Sequence, residues 1–297
     1  MDSISAYLVL MIPLAVLLNI PVLVIVIRKQ YLTNPGLIVA VALGVTLFVI
    51  QPFFWVVLLT FFFTSSILSK VKVTEKSSVA VDFEKGSTKR DAFQVVANSL
   101  IPLFFAFGYA MVDLLPFILD PSTNIQTTLS PFFVSVFVAF SVHNADTWAT
   151  ELGLLSKRTP RLVTSLNQKV PPGTSGGITI DGWIASLLGG LVIAIVYTVS
   201  VVFLSPVLIF DAQTLIIILL IILGGFAGST MDSIEGATIQ GIYYCNHCAK
   251  ETESNPHPRC GNETVYHRGF KLINNDFVNL SSALVVTLTI FLVVILI

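Results

Sequence analysis

The sequence predicts an all-α, polytopic membrane helix bundle with about eight transmembrane helices and both termini outside. Hydrophobic residues make up 55% of the 297 residues and charged residues only 11%, far below the roughly 25% of a soluble domain. Long apolar runs recur along the chain, and the basic residues are confined to the segments between them. A globular soluble enzyme and a disordered chain are both excluded, and the net charge of −1 gives no reason to expect nucleic acid as a partner.

Apolar segments of bilayer-crossing length define the predicted spans, since a membrane core of about 30 Å needs roughly 20 apolar residues per helix. The stretch 35–68 is too long for one crossing, and Gln51-Pro52 in its middle divides it in two. The first span has no basic leader and no small-residue cleavage site, so we expect a retained helix. The spans are predicted at 6–27, 35–50, 52–68, 92–118, 130–152, 182–204, 213–235 and 277–297, within one integral membrane domain over 1–297.

The basic residues predict the orientation of the bundle. All 16 lysines and arginines fall within 28–29, 70–90, 157–169 and 250–271, which are the connections on one side of an eight-span layout. The positive-inside rule places this side in the cytoplasm and both termini outside. The long cytoplasmic loops are therefore expected at 69–91, 153–181 and 236–276.

Polar residues at membrane depth are costly and mark candidate functional positions. The first group ends the fifth span, where helical geometry, counted from His143, places five polar residues within an arc of roughly 160°. They are Asn144, Asp146, Thr147, Thr150 and Glu151. This face carries two carboxylates and points toward the predicted cytoplasmic loops. Simple solvation of a helix end is the alternative interpretation.

A second acidic group ends the seventh span. Asp232 and Glu235 are three residues apart, so they are neighbours on one helix face, and the small residues around them favour close helix packing. Two carboxylate-bearing helix ends at one membrane surface suit a Mg²⁺ ion that bridges phosphate oxygens. The predicted Mg²⁺ ligands are Asp146, Glu151, Asp232 and Glu235, and helix-end solvation is again the alternative.

The loop after the fifth span combines basic residues with a glycine-rich turn. Lysine and arginine bind phosphate, and successive backbone N–H groups of such a turn can bind an anion. It is not a Walker A motif, because the Gly-Lys-Ser/Thr ending is missing. The candidate phosphate-binding residues are Lys157, Arg161, Lys169, Gly173, Thr174, Gly176 and Gly177. An ordinary connecting loop is the alternative.

Two further polar segments flank the predicted site. The basic segment 85–91 leads into the fourth span and is either a cationic contact for phosphate or a positive-inside anchor. At the start of the eighth span, Asn275 or Asp276 is a candidate N-cap residue. The alternative is that this asparagine-rich start faces the same cavity as the acidic groups.

The three cysteines of the chain lie in one polar loop, where an odd number does not suggest a disulfide framework. Three thiolates and one imidazole make a closed tetrahedral zinc site. Cys245-x₂-Cys248 followed by His257-x₂-Cys260 resembles a zinc knuckle in its spacing. The alternative is three ordinary reduced thiols.

Several motifs in a fixed order resemble the integral-membrane family that includes transmembrane protein nineteen and the chloroplast phytyl-phosphate kinase. They are KGSTKRDAFQVVAN (85–98), NADTWATELG (144–153), PRLVT (160–164), KVPPGTSGGIT (169–179), DSIEGATIQ (232–240) and NDFVN (275–279). The resemblance covers roughly residues 30–295 and implies an isoprenyl-phosphate kinase. A pattern of Asp146, Ala149, Gly153, Lys169 and Gly173 is also similar to CTP-dependent polyprenol kinases, which implies a nucleoside triphosphate donor, with CTP suspected, and Mg²⁺.

The expected function is that of a membrane-embedded phosphotransferase, which converts a phytyl, geranylgeranyl or farnesyl-type monophosphate to its diphosphate at the cytoplasmic face. Asp146, Glu151, Asn144 and Thr147 are the predicted catalytic residues. The expected partners are the prenyl phosphate, the nucleoside triphosphate and membrane lipid. The alternative is a transporter of a phosphorylated or cationic substrate, since such proteins also carry carboxylates within the membrane.

Overall fold

The computed structural model describes residues 3–71, 89–120, 122, 127–204 and 211–297. The helices are α1 (Ser3–Lys29), α2 (Asn34–Ile50), α3 (Pro52–Lys70), α4 (Ala92–Ala97), α5 (Leu100–Leu119), α6 (Pro131–Gly153), α7 (Ile180–Leu204), α8 (Ala212–Thr238) and α9 (Asn275–Leu296). A π-helical turn, Ala110–Leu114, interrupts α5, and a 3-10 turn covers Thr127–Leu129.

The helices confirm the prediction of an all-α polytopic membrane bundle. Among the described helices, α1, α3, α5, α7, α8 and α9 are each long and apolar enough to cross a bilayer. Helix α2 is apolar but has 17 residues, and α6 has 23 residues but ends in the polar segment that follows His143. The count of eight crossings and the outward termini stay predictions.

The boundary at Gln51 lies where the sequence predicts it. Gln51 has an extended backbone, with φ of −159°, so it ends α2 and precedes the first residue of α3. Its backbone N–H donates to the Leu47 carbonyl at 2.9 Å, and its side-chain oxygen accepts from the Phe53 N–H at 3.5 Å. Pro52 has no N–H to continue the first helix but fits the first turn of the second.

The predicted fourth span, 92–118, is wrong as one continuous helix. Helix α4 begins at a capping box formed by Asp91 and Gln94 and ends at Asn98, and α5 begins after Ser99. The capping box fixes the start of a short helix, whereas Pro102 fits the first turn of a new one. The break places Asn98 beside the polar end of the bundle.

Helix α6 is the centre of the bundle and packs against α3, α5, α7, α8 and α9. Every residue from Phe133 to Ala145 is buried. An aromatic cluster of Phe54, Phe133, Phe137 and Tyr197 fills the interior. The polar end of α6 therefore emerges from a rigid, fully packed core.

Glycine allows α7 to approach α6 closely, because a Cβ at Gly189 would lie 2.9 Å from the Cα of Ala145. Replacing Gly189 by alanine is expected to force the two helices apart and to cost about 1–3 kcal/mol by overpacking. This exceeds the roughly 1 kcal/mol that alanine gains in helix propensity. The check is the melting temperature in detergent. Gly153→Ala is the matched control, since its Cβ would meet only ordinary contacts at 3.5 Å, and an equal fall in both variants would contradict the prediction.

Two small antiparallel sheets lie in the connections at the polar end, and the sequence analysis did not predict them. Strands β1 (Arg161–Leu162), β2 (Ser165–Lys169) and β3 (Gly177–Ile178) form one in the order β2-β1-β3. Strands β4 (Ile242–Cys245), β5 (Lys250–Thr252) and β6 (Val265–Arg268) form the other in the order β5-β4-β6. We call the end of the bundle that carries residues 154–179 and 239–274 the loop face.

Candidate functional site

A cavity of about 650 Å³ opens at the loop face. Helices α3, α4, α6, α7, α8 and α9 all contribute to its wall, together with the turn 172–179 and residues Glu253 and Ser254. The site therefore gathers residues that lie more than 200 positions apart in the chain. Of the segment 85–91, only residues 89–91 lie among the described residues, and all three line the cavity.

Two aspartates from facing helices form the acidic part of the cavity wall. Asp146 on α6 and Asp232 on α8 lie close enough to interact electrostatically. The Ser229 hydroxyl donates to Asp146 Oδ1 at 3.4 Å. Asp232 Oδ2 is sealed from solvent and has no hydrogen-bond partner within the described part of the chain. A buried carboxylate oxygen without a partner is costly, so this atom fits a ligand that supplies positive charge or a donor.

The polar arc predicted on α6 divides into two parts. Asp146, Thr147, Thr150 and Glu151 line the cavity, and Glu151 accepts a hydrogen bond from Ser69 on α3. Asn144 is fully buried instead. Its Oδ1 accepts from the Thr64 hydroxyl at 2.8 Å, and its Nδ2 donates to the Gly189 carbonyl at 2.8 Å. The structure thus places Asn144 where it joins α3, α6 and α7, outside the set of residues that line the cavity.

Glu235 is also absent from the residues that line the cavity. It lies almost one turn after Asp232 on α8, is buried, and accepts a hydrogen bond from Ser281 on α9. Three of the four predicted Mg²⁺ ligands, Asp146, Glu151 and Asp232, are therefore brought to the cavity, and Glu235 is not.

The glycine-rich turn lies at the cavity as the sequence predicts, since residues 172–179 line it. Gly173 and Gly176 have positive φ angles of 86° and 81°, which L-residues rarely adopt. Gly176 packs against the end of α8, where an added Cβ would lie 2.4 Å from that of Ala237. The Ser175 hydroxyl donates to Gln240 Oε1 at 2.9 Å, which fixes the turn beside the acidic helix.

The basic residues at the cavity differ from those expected. Lys157, Arg161 and Lys169 are exposed and do not line it, and the Arg161 guanidinium donates to the Leu166 carbonyl within its own hairpin. The basic residues that line it, within the described ranges, are Lys70, Lys89 and Arg90. For Lys89 and Arg90 the signal in the sequence is the segment 85–91, which is predicted to be either a phosphate contact or a membrane anchor.

At the start of α9, the predicted N-cap at Asn275 or Asp276 is wrong, and the alternative, that this segment faces the cavity, is confirmed. Asn274 is the N-cap residue, rather than Asn275 or Asp276, and its Oδ1 accepts from the Phe277 N–H at 2.9 Å. Asn275, Asp276 and Asn279 line the cavity. The asparagine-rich start therefore faces the acidic groups.

An apolar pocket of about 60 Å³ lies beside the polar cavity, between α1, α2 and α3. Val22, Leu37 and Leu58 contribute to its wall. Arg90 and Asn98 line both spaces, and the Arg90 guanidinium lies 5.4 Å from the centre of the Phe61 ring. A ligand at this junction would meet a cation on one side and hydrocarbon on the other.

The four residues of the predicted zinc knuckle lie together on the loop face. The ligand atoms of Cys245, Cys248, His257 and Cys260 are all within 4.8 Å of one another. A hydrogen bond from the backbone N–H of Asn262 lowers the pKa of Cys260 to about 6, which favours its thiolate form. His267 lies outside the group, with its Nε2 3.4 Å from Glu251.

Comparison with known proteins agrees with this architecture. The chain is 34% identical over 192 residues to Protein PGR of Arabidopsis thaliana, a match that covers 64% of this chain and 65% of that protein, slightly less than two thirds of its length. It is 31% identical over 230 residues to an uncharacterized membrane protein of Methanocaldococcus jannaschii, which covers 75% of this chain and 82% of the relative. An uncharacterized membrane protein of Synechocystis sp. is 28% identical over 63% of each chain. No solved structure matches.

The family comparison covers nearly the whole bundle. The model of the family described as integral membrane protein DUF92 matches residues 17–287, from α1 to α9. This range contains every cavity-lining residue named above. The chain therefore belongs to the DUF92 family of integral membrane proteins, in agreement with the resemblance in its motifs.

Proposed function

We propose that the protein is a membrane-embedded phosphotransferase, which converts an isoprenyl monophosphate to its diphosphate with a nucleoside triphosphate as donor. The observation that carries the proposal is the junction of a polar cavity of about 650 Å³ with an apolar pocket at Arg90 and Asn98. A prenyl phosphate has the same division, with an anionic head and a hydrocarbon tail. The choice of a prenyl substrate, and of CTP as the suspected donor, rests on the resemblance of the motifs.

The charges of the cavity support phosphoryl transfer. Lys70, Lys89 and Arg90 provide positive charge for phosphate oxygens, while Asp146 and Asp232 provide carboxylates on the opposite helices. Asp146 and Asp232, with the unpartnered Asp232 Oδ2, fit the one or two carboxylates by which Mg²⁺ is usually held beside phosphate oxygens, and Glu151 lines the same cavity. Bound there, Mg²⁺ would neutralise charge on the phosphate oxygens.

The residues of the chain need to supply little covalent chemistry for this reaction. A phosphate monoester oxygen is already a nucleophile, so positioning and charge neutralisation are the main requirements. The glycine-rich turn lies beside the end of α8 at the cavity and is suited to hold a second phosphate group by its backbone. The start of α9, with Asn275 and Asn279, adds amide groups that can donate to either substrate.

The test uses the full-length protein in detergent with Mg²⁺. Each of the four nucleoside triphosphates, labelled on the γ-phosphate, is offered with phytyl or geranylgeranyl monophosphate. We expect label in a prenyl diphosphate with one preferred donor. Release of the label as pyrophosphate would indicate transfer of a cytidylyl group instead, which would keep the site but change the reaction. No transfer from folded protein would contradict the proposal and favour the transporter, which flux assays in liposomes would then test.

A further inference from the structure

The loop 239–274 gathers four metal-ligating side chains from three separate places. Cys245 ends β4, Cys248 lies in the turn that leads to β5, and His257 and Cys260 lie between β5 and β6. The Sγ atoms of Cys245 and Cys260 are 3.6 Å apart, and His257 Nδ1 is 3.2 Å from Cys260 Sγ. The short spacing in the sequence brings Cys245 and Cys248 together, and likewise His257 and Cys260. The sheet then brings these two pairs next to each other.

The arrangement has the dimensions of a tetrahedral metal site. Sulfur and nitrogen ligands at the usual zinc distances lie about 3.5–3.8 Å from one another around the ion. The observed separations, all within 4.8 Å, need only a small contraction to reach these values. Cys245 and His257 are fully buried, and Cys248 and Cys260 are partly buried. Three thiolates and one imidazole suit zinc better than a hard cation such as Mg²⁺.

We propose that Cys245, Cys248, His257 and Cys260 hold a structural zinc ion, and that this ion stabilises the sheet β5-β4-β6 in its position against the wall of the polar cavity. Four protein ligands leave no open coordination position, so the ion has a structural role and no substrate binds to it. The proposal is independent of the phosphotransferase assignment.

The sheet β5-β4-β6 contacts the cavity wall through Arg268 on β6. Its guanidinium donates to the carbonyls of Gly236 at 3.2 Å and Ala237 at 2.9 Å, which end α8, and to the Ser175 carbonyl of the glycine-rich turn at 3.4 Å. Glu251 on β5 lies 3.5 Å from the same guanidinium. One side chain of the sheet therefore joins the acidic helix to the turn that faces it.

The strand β5 also leads directly into the cavity wall. Glu253 and Ser254 follow β5 and line the cavity, and the Thr264 hydroxyl donates to the Ser254 carbonyl at 3.2 Å. Strands this short have few hydrogen bonds and little apolar burial of their own. A metal ion that cross-links the two ends of the loop supplies the missing stability.

The first experiment measures metal in the purified full-length protein. We expect about one zinc ion per chain, and, after exchange with Co²⁺, the visible absorption of a tetrahedral thiolate site. Cys248→Ser and His257→Ala are expected to lose the ion. His247→Ala is the matched control, since His247 is exposed and adjacent to Cys248, and it should keep the full content. Iron in place of zinc, a Cys245–Cys260 disulfide without metal, or full zinc content in His257→Ala would overturn the proposal.

A second experiment on the wild-type chain covers the case in which the ligand variants do not fold. A thiol-reactive mercurial should release one zinc ion and increase protease cleavage within 239–274 and at Gly173–Gly177. Arg268→Met should keep the zinc but expose Gly173–Gly177 to the protease, because the contacts of Arg268 to the turn and to the end of α8 are lost while all four metal ligands remain. Unchanged cleavage after zinc release would show that zinc does not hold the sheet against the cavity wall, which would contradict the proposal. None of these readouts uses phosphoryl transfer, so a failure of either proposal is recognised separately.

Discussion

Replacing Asp146 by asparagine is expected to reduce the transfer of phosphate to a prenyl monophosphate by about 10³-fold or more while the protein stays folded. Asparagine has the shape of aspartate and can still accept from Ser229, but it removes one charge of the Asp146–Asp232 pair. Because two carboxylates repel each other in a poorly solvated site, the variant should not melt at a lower temperature. Initial rates and melting temperatures in the same detergent check both parts.

Asp211→Asn is the matched control for Asp146→Asn. Asp211 caps α8 at the end remote from the cavity, where its Oδ1 accepts from the Thr214 N–H at 2.8 Å. Asparagine is an equally good cap residue, so both the rate and the melting temperature should stay at the wild-type values. Wild-type turnover in Asp146→Asn would remove the carboxylate pair from the reaction. A large fall in its melting temperature would instead assign Asp146 to the packing of α6.

Replacing Arg90 by methionine is expected to raise the KM for the prenyl monophosphate by about 10–100-fold, because a hydrogen bond from a charged group contributes roughly 1.5–3 kcal/mol. Arg90 lies where the polar cavity meets the apolar pocket, so its charge would meet the phosphate of a bound prenyl substrate. Methionine keeps an apolar contact with Phe61 and loses the charge together with the N–H donors of the guanidinium. The KM for the nucleotide, measured in the same series, should change little.

Arg161→Met distinguishes the phosphate contact assigned from the structure, Arg90, from a contact predicted from the sequence alone, Arg161. Arg161 is one of the phosphate contacts that the sequence predicts, but it is exposed and donates to the Leu166 carbonyl instead. We expect its KM for the prenyl monophosphate to remain at the wild-type value. An increase as large as that of Arg90→Met would show that the loop 154–179 reaches the substrate.

The helical part of the fold could be predicted because its causes are local. Apolar runs of bilayer length, Pro52 after Gln51 and the helical angle between Asp146 and Glu151 can all be seen in a short window of sequence. Three of the four predicted Mg²⁺ ligands therefore lie at the cavity. Glu235 does not, because three residues of separation make it a neighbour of Asp232 without deciding which of them faces α9.

The loop face could not be predicted in the same way. Arg161 pairs with Lys169 and Ile178 in a sheet of very short strands, which directs its side chain into its own hairpin and away from the cavity. Arg90 reaches the cavity because its backbone forms a bridge with that of Leu32, nearly 60 positions earlier, and its N–H donates to the Tyr31 carbonyl at 3.0 Å. Such long-range pairings leave no periodic pattern in the sequence.

The apolar pocket between α1, α2 and α3 has a kinetic consequence. Helix α1 is at the edge of the bundle, with most of its surface exposed, so the pocket lies close to the surrounding lipid. For the proposed reaction, an amphiphile whose phosphate already lies at the membrane surface would arrive by lateral diffusion and never move its head group through hydrocarbon. Its encounter with the protein is then a two-dimensional search. Turnover should accordingly follow the mole fraction of the substrate in a vesicle and fall on dilution with inert lipid, even when its amount per volume is constant.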